Sequence, residues 1–151
     1  MCSLQNNPPK LIPKEDLIAD LVVEYLKPYT EPNGPLKVKK HTYVEGRSNL
    51  IITYSGSGDK VVSFVGSHMD VVPANPTEWT DAPPFKLTKD GDKLYGRGVT
   101  DCLGHVCTLT HFFKQLAILK PKLKYTVVGV FIANEENSSQ PVSESAALRL
   151  D

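Results

Sequence analysis

The stretch Lys124-Tyr125-Thr126-Val127-Val128-Gly129-Val130-Phe131-Ile132-Ala133, followed at once by Asn134-Glu135-Glu136, reads as a buried strand that delivers two carboxylates at its end. Just upstream, Val106, Leu109, Phe112, Phe113, Leu116 and Leu119 recur at helical spacing in a segment that begins at Asp101 and stops at Pro121. Further upstream, residues 61–65 form another β-branched and aromatic run, expected to be a buried strand, with His68 just past its end. Strand, helix and parallel strand in that order make a βαβ unit, and in open α/β sheets sites gather beyond the carboxyl ends of the strands. The fold class is therefore α/β, a mixed, partly parallel sheet flanked by helices.

The remaining segments fit around that unit. Leu17, Ile18, Leu21, Val22, Tyr25 and Leu26 predict an amphipathic first helix between Pro13 and Pro28. Residues 36–44 and 49–54 read as strands, the second joined to residues 61–65 by a Gly- and Ser-rich turn. Pro73, Pro76, Pro83 and Pro84 make residues 73–84 an irregular loop, and residues 85–94, centred on Asp90-Gly91-Asp92, read as a hairpin.

Composition excludes several functions. With 17 basic and 17 acidic side chains in 151 residues, no net field favours nucleic acid or an anionic membrane. The length suits one ordinary domain, but is short for an enzyme with a cleft between two domains. Cys2, Cys102 and Cys107 lack C-x-x-C spacing, so a reducing, cytoplasmic compartment is expected. The amino terminus has neither a basic start nor an apolar stretch, and nothing is long enough to span a bilayer. No G-x-S-x-G elbow, dinucleotide fingerprint or Walker lysine occurs. Cys102 and Cys107 read as small core residues, and Trp79 as packing within the Pro-rich loop.

Three motifs carry chemistry. In Ser67-His68-Met69-Asp70, the histidine can bind a cation while the nearby aspartate orients it, although a solvated loop explains the pair as well. In Gly96-Arg97-Gly98-Val99-Thr100-Asp101, the two glycines let the chain turn sharply and deliver Asp101, which could equally just cap the following helix. Adjacent Glu135 and Glu136 repel each other unless they share a cation or a proton, or lie in a solvated turn. Together they supply what a two-cation hydrolytic site needs: a bridging carboxylate, for which Asp101 is suited, a further ligand to each ion in His68 and Glu136, and a base in Glu135.

With Ser67-His68-Met69-Asp70-Val71-Val72-Pro73, Tyr95-Gly96-Arg97-Gly98 through Asp101 and Gly104, and Glu135-Glu136 in place, the chain resembles the N-terminal part of the catalytic domain of M20-type metallopeptidases and amidohydrolases. Within them the likeness is to plant-like acetylornithine deacetylases, over about residues 11–139. The resemblance implies that His68 binds one zinc, Asp70 orients that histidine, Asp101 bridges both metals, Glu135 is the general base and Glu136 binds the other metal. It implies two zinc ions per complete site, or cobalt in their place, and hydrolysis of N-acetyl-L-ornithine to acetate and L-ornithine in arginine biosynthesis. The expected partner is a small-molecule N-acyl amino acid, with no nucleic acid and no membrane, and a homodimer for the full-length family member.

Leu103 stands where the wider family usually has lysine, which removes one charge beside the site. The family's further acidic ligand and further histidine are expected downstream, whereas only Glu144 and Asp151 are acidic after Glu136. The organisation expected is a disordered terminus over residues 1–10, a partial M20 catalytic domain over 11–139 and an atypical tail over 140–151, the chain being a truncated form. The alternatives are a non-catalytic fragment with weak metal or partner binding, and a related N-acyl-amino-acid amidohydrolase or dipeptidase.

Overall fold

The computed structural model describes residues 2–80 and 82–137, so the tail expected over residues 140–151 lies outside the described residues. A four-stranded sheet is assembled in the order β1 (Leu36–Val44), β2 (Arg47–Tyr54), β6 (Thr126–Ile132), β3 (Val61–His68). The β1–β2 and β2–β6 pairs are antiparallel, and β3 runs parallel to β6. Between those two parallel strands the chain forms a small hairpin, β4 (Thr88–Asp90) and β5 (Lys93–Tyr95), and then helix α2 (Gly104–Leu119). This is the expected βαβ crossover with a hairpin inserted before its helix.

Helices α1 (Asp16–Leu26) and α2 join alternate residues of β2 and β6 in one apolar core. Leu50, Ile52 and Tyr54 lie opposite Phe131, Gly129 and Val127 across the ladder, so one sheet face carries them all. Gly129 is required by close approach: a Cβ there would fall 2.5 Å from the Phe113 ring. Its absence lets the Phe113 ring of α2 come close to the sheet.

Several expectations change in detail. The apolar stripe of α1 is broader than its contact, since Ala19, Val22 and Leu26 are buried while Leu17, Leu21 and Tyr25 are exposed. In α2 the buried apolar set is Val106, Leu109, Phe113, Leu116 and Ala117, with Thr110 buried beside them; Leu119 is exposed and Phe112 lies at the rim. Position 112 is one residue from 113, hence about 100° around the helix from the contact line. Residues 61–65 form a strand but not a buried one, with Val61 51% and Val65 62% exposed. Among the described residues β3 lies at the sheet edge, paired only with β6, and its burial begins at Ser67 and His68. β-branched composition reports strand preference and carries no information on strand order. Cys102 is buried as expected, but Cys107 is exposed on α2.

The amino terminus departs most from expectation. Residues 1–10 are not a disordered leader where described: a 3-10 turn at Cys2–Leu4 leads into a short parallel bridge from Gln5 to Val71. The Val71 N–H donates to the Leu4 carbonyl and the Asn6 N–H to the Val71 carbonyl, both at 2.9 Å, and the Leu4 and Asn6 side chains are buried. A strand end that needs partners orders this segment, and six polar-rich residues show no periodicity that would announce it. Among the described residues, no helix is long and apolar enough to cross a membrane.

Candidate active site

Parallel pairing places the ends of β3 and β6 side by side, with His68 in register with Ile132. The loops that leave both strands must therefore meet at one edge, where the Val99–Leu103 turn joins them. His68 is buried there, its Nδ1 3.1 Å from the Asp70 carbonyl oxygen and 3.3 Å from Asp70 Oδ1. On the other side of the ring, Nε2 stands 2.9 Å from Asp101 Oδ1 and 3.7 Å from Glu135 Oε2. One imidazole thus has a carboxylate residue behind it and two in front.

Asp70 ties the two loops together. Wholly buried, it accepts the Glu135 N–H on Oδ1 at 3.0 Å, and on Oδ2 the Glu136 N–H at 2.9 Å and Asn6 Nδ2 at 2.7 Å. Burial works to raise its pKa, but the hydrogen bonds from His68, the Glu135 N–H, Asn6 and the Glu136 N–H outweigh it and lower the value from 3.8 to about 2. In His68 the side-chain bond to Asp70 raises the pKa, burial opposes it, and the bond to Asp101 adds, bringing it from 6.5 to about 9. Asp70 is thus ionised at neutral pH, and the imidazole carries a proton that a cation can replace.

The donor set fits a divalent cation. His68 with Asp101 and Cys102, and His68 with Glu135 and Glu136, each offer three ligand atoms within 4.8 Å of one another. Among the described residues, Glu136 Oε1 is buried without a hydrogen-bond partner. Burial, and then the negative charge of Asp101, raise the Glu136 carboxyl above its ordinary value. Positive charge placed among these groups would satisfy that oxygen and relieve the repulsion.

All five residues singled out in the sequence, His68, Asp70, Asp101, Glu135 and Glu136, meet at this edge. The capping alternative for Asp101 does not hold. Helix α2 takes Leu103 as its N-cap without a side-chain bond, and Asp101, at φ −122° and ψ 99°, turns its carboxylate to His68 instead. The solvated-loop reading of His68 and Asp70 fails because both are buried. Sequence reasoning missed Cys102 as a neighbour of the site: its sulfur accepts the His68 N–H at 3.0 Å. It also missed Asn6, Glu15 and Arg47, which lie far away in sequence and have no spacing signal. Trp79 is half-buried, with the Arg97 guanidinium 5.4 Å from its ring.

Gly98 is the hinge that presents Asp101. Its φ is +83°, and an added Cβ would stand 2.8 Å from Val71 Cγ1 and 3.0 Å from Leu103 Cδ1. Gly98→Ala is expected to cost about 2 to 4 kcal/mol, the sum of left-handed strain and crowding. Chemical denaturation measures it; a loss below about 0.5 kcal/mol, the range of a neutral surface change, would show that the turn relaxes freely.

Comparison with known proteins identifies the family. The sequence model for peptidase family M20/M25/M40 matches residues 64–151. An acetylornithine deacetylase of Arabidopsis thaliana is 57% identical over 141 residues, covering 91% of this chain and 32% of that protein. One from Dictyostelium discoideum is 50% identical over 149 residues, covering 92% and 33%. The chain thus spans about a third of the length of these curated relatives. Among solved structures, the di-peptidase Dug1p from Saccharomyces cerevisiae superposes with a TM-score of 0.66 at 21% identity, over 90% of this chain and 30% of that one, a likeness of fold.

Proposed function

Because the chain belongs to peptidase family M20/M25/M40, we propose that it supplies the active-site half of a zinc-dependent amidohydrolase that cleaves N-acetyl-L-ornithine to acetate and L-ornithine. The observation that carries this reading is the convergence of His68, Asp101, Glu135 and Glu136 at the ends of β3 and β6, in a chain 57% identical to an acetylornithine deacetylase.

In this reading His68, Asp101 and Glu136 would hold the cations. Cobalt would serve in place of zinc. When bound, the cations supply Lewis-acid charge beside the scissile amide. Asp70 fixes the His68 ring through Nδ1 and leaves Nε2 facing the carboxylates. Glu135 takes a proton from the attacking water at a carboxylate oxygen and returns it to the nitrogen of the leaving amine, as the water oxygen bonds to the carbonyl carbon and the C–N bond breaks. Its side chain is half exposed and can reach a bound substrate. A homodimer of the complete protein and a cytoplasmic setting, consistent with Cys102 and Cys107 as free thiols, belong to the same proposal.

The test is ornithine release from N-acetyl-L-ornithine by the protein carrying this segment. Turnover is expected with zinc, lost on chelation and restored by zinc or cobalt. Cleavage of dipeptides or other N-acyl amino acids in preference to acetylornithine would overturn the substrate assignment, and turnover that survives full chelation would overturn the metal.

A further inference from the structure

The Glu135-Glu136 turn is built on a left-handed residue. Asn134 has φ +63°, a region that asparagine enters more readily than other non-glycine residues but occupies only in particular turns. That turn points the N–H groups of Glu135 and Glu136 at Asp70. What keeps Asn134 there is a polar network that reaches back to the start of the chain. Its Oδ1 accepts Asn6 Nδ2 at 2.8 Å and Arg47 Nη2 at 3.0 Å. Arg47 in turn grips Glu15, with Nη2 2.7 Å from Oε1 and Nε 3.0 Å from Oε2. Asn6, Glu15 and Arg47 are at most 3% exposed.

The polarity of these bonds is fixed by chemistry. Arginine only donates, so Asn134 must present its oxygen to Arg47, and Asn6 must then meet that oxygen with its NH2, the same nitrogen that lies 2.7 Å from Asp70 Oδ2. One amide nitrogen therefore spends its two hydrogens on the two loops that carry the site, at Asp70 Oδ2 and Asn134 Oδ1. Asn6 is held in place by its own backbone bond to Val71, the residue after Asp70. Buried ions are not needed for a stable core, since apolar side chains of similar size often serve as well. A directed bond to one oxygen is what they add.

We propose that Asn6, backed by Arg47 and Glu15, is a positioning residue for the candidate active site: it holds Asn134 left-handed and so fixes where Glu135 and Glu136 stand. The amino-terminal segment is then a working part of the site. The effect on turnover rests on the function proposed above; the effect on the turn does not.

Backbone amide exchange in the protein carrying this segment, without substrate, tests the idea together with steady-state kinetics. Asn6→Ala is expected to speed exchange at the Glu135 and Glu136 amides about tenfold, the scale of one hydrogen bond to a charged group. Exchange at Val128 and Val130 in β6 should be unmoved, and kcat for N-acetyl-L-ornithine should fall with KM unchanged. Asn6→Asp keeps the size but sets a carboxylate against Asp70, so it should be worse than alanine, the reverse of what a space-filling role predicts. Asn134→Gly keeps the left-handed backbone while deleting the acceptor, and it reads the same two amides should Asn6→Ala fail to fold. Unchanged exchange at Glu135 and Glu136, or an equal rise along β6, would overturn the proposal. If those amides respond but acetylornithine is never cleaved, only the assigned function falls.

Discussion

Glu135→Gln is expected to lower turnover of N-acetyl-L-ornithine by about 100- to 10,000-fold, the usual contribution of a general base, while the metal content of the protein stays the same. The two adjacent glutamates occupy different environments although they share a turn. Among the described residues Glu136 has a buried oxygen without a partner, and its carboxyl is pushed upward by burial and by Asp101, so a cation or a proton beside it would be stabilising. Glu135 is 51% exposed, and its contact with His68 Nε2 is 3.7 Å, longer than a hydrogen bond. In the proposed mechanism it is the carboxylate that moves the proton. Glutamine keeps its shape and the backbone N–H that Asp70 holds, so the loop should stay in place. Kinetics and metal analysis on one preparation separate the outcomes: metal lost together with turnover would make Glu135 a ligand, and unchanged turnover would remove it from the role of base.

Local patterns predicted what local physics determines. The apolar run that ends at Ala133 is a strand because β-branched side chains fit a pleated, packed surface, and the βαβ order follows from it. That order alone brings the residues after His68 and after Ile132 to one edge, so the candidate site was legible before any distance was known. Asp101 was ambiguous because an aspartate before a helix satisfies two physical demands with one residue type; the backbone direction at Val99–Leu103 decides between them. Strand order was not legible. Val61, Val62 and Val65 are as β-prone as the residues of β6, yet β3 took the edge, since lateral position depends on which partners pair on each side. Asn6, Glu15 and Arg47 were invisible for another reason. Their contacts span 32 to 128 positions, and no period or spacing encodes a bond across such a distance.

The buried pair of Glu15 and Arg47 supplies the largest expected effect on stability. Glu15 is wholly buried at the start of α1, where its carbonyl accepts the N–H groups of Ile18 and Ala19. Arg47 opens β2 with its side chain 4% exposed. Each ion is compensated by the other, so Arg47→Met should strand a buried carboxylate and Glu15→Leu a buried guanidinium, each at a cost of about 3 to 5 kcal/mol. The double variant removes both charges and should recover most of that loss, because the pair's attraction roughly balances its desolvation. Urea denaturation of the four proteins gives the coupling directly, and single variants that each lose under about 1 kcal/mol would mean that water reaches the pair. The double variant also separates stability from positioning. Its core would be intact, but Asn134 Oδ1 would have lost one of its two donors, so the Glu135 and Glu136 amides should exchange faster in a protein that is nearly as stable as the parent. A recovered melting curve with an unaltered turn would instead show that Asn6 alone holds Asn134.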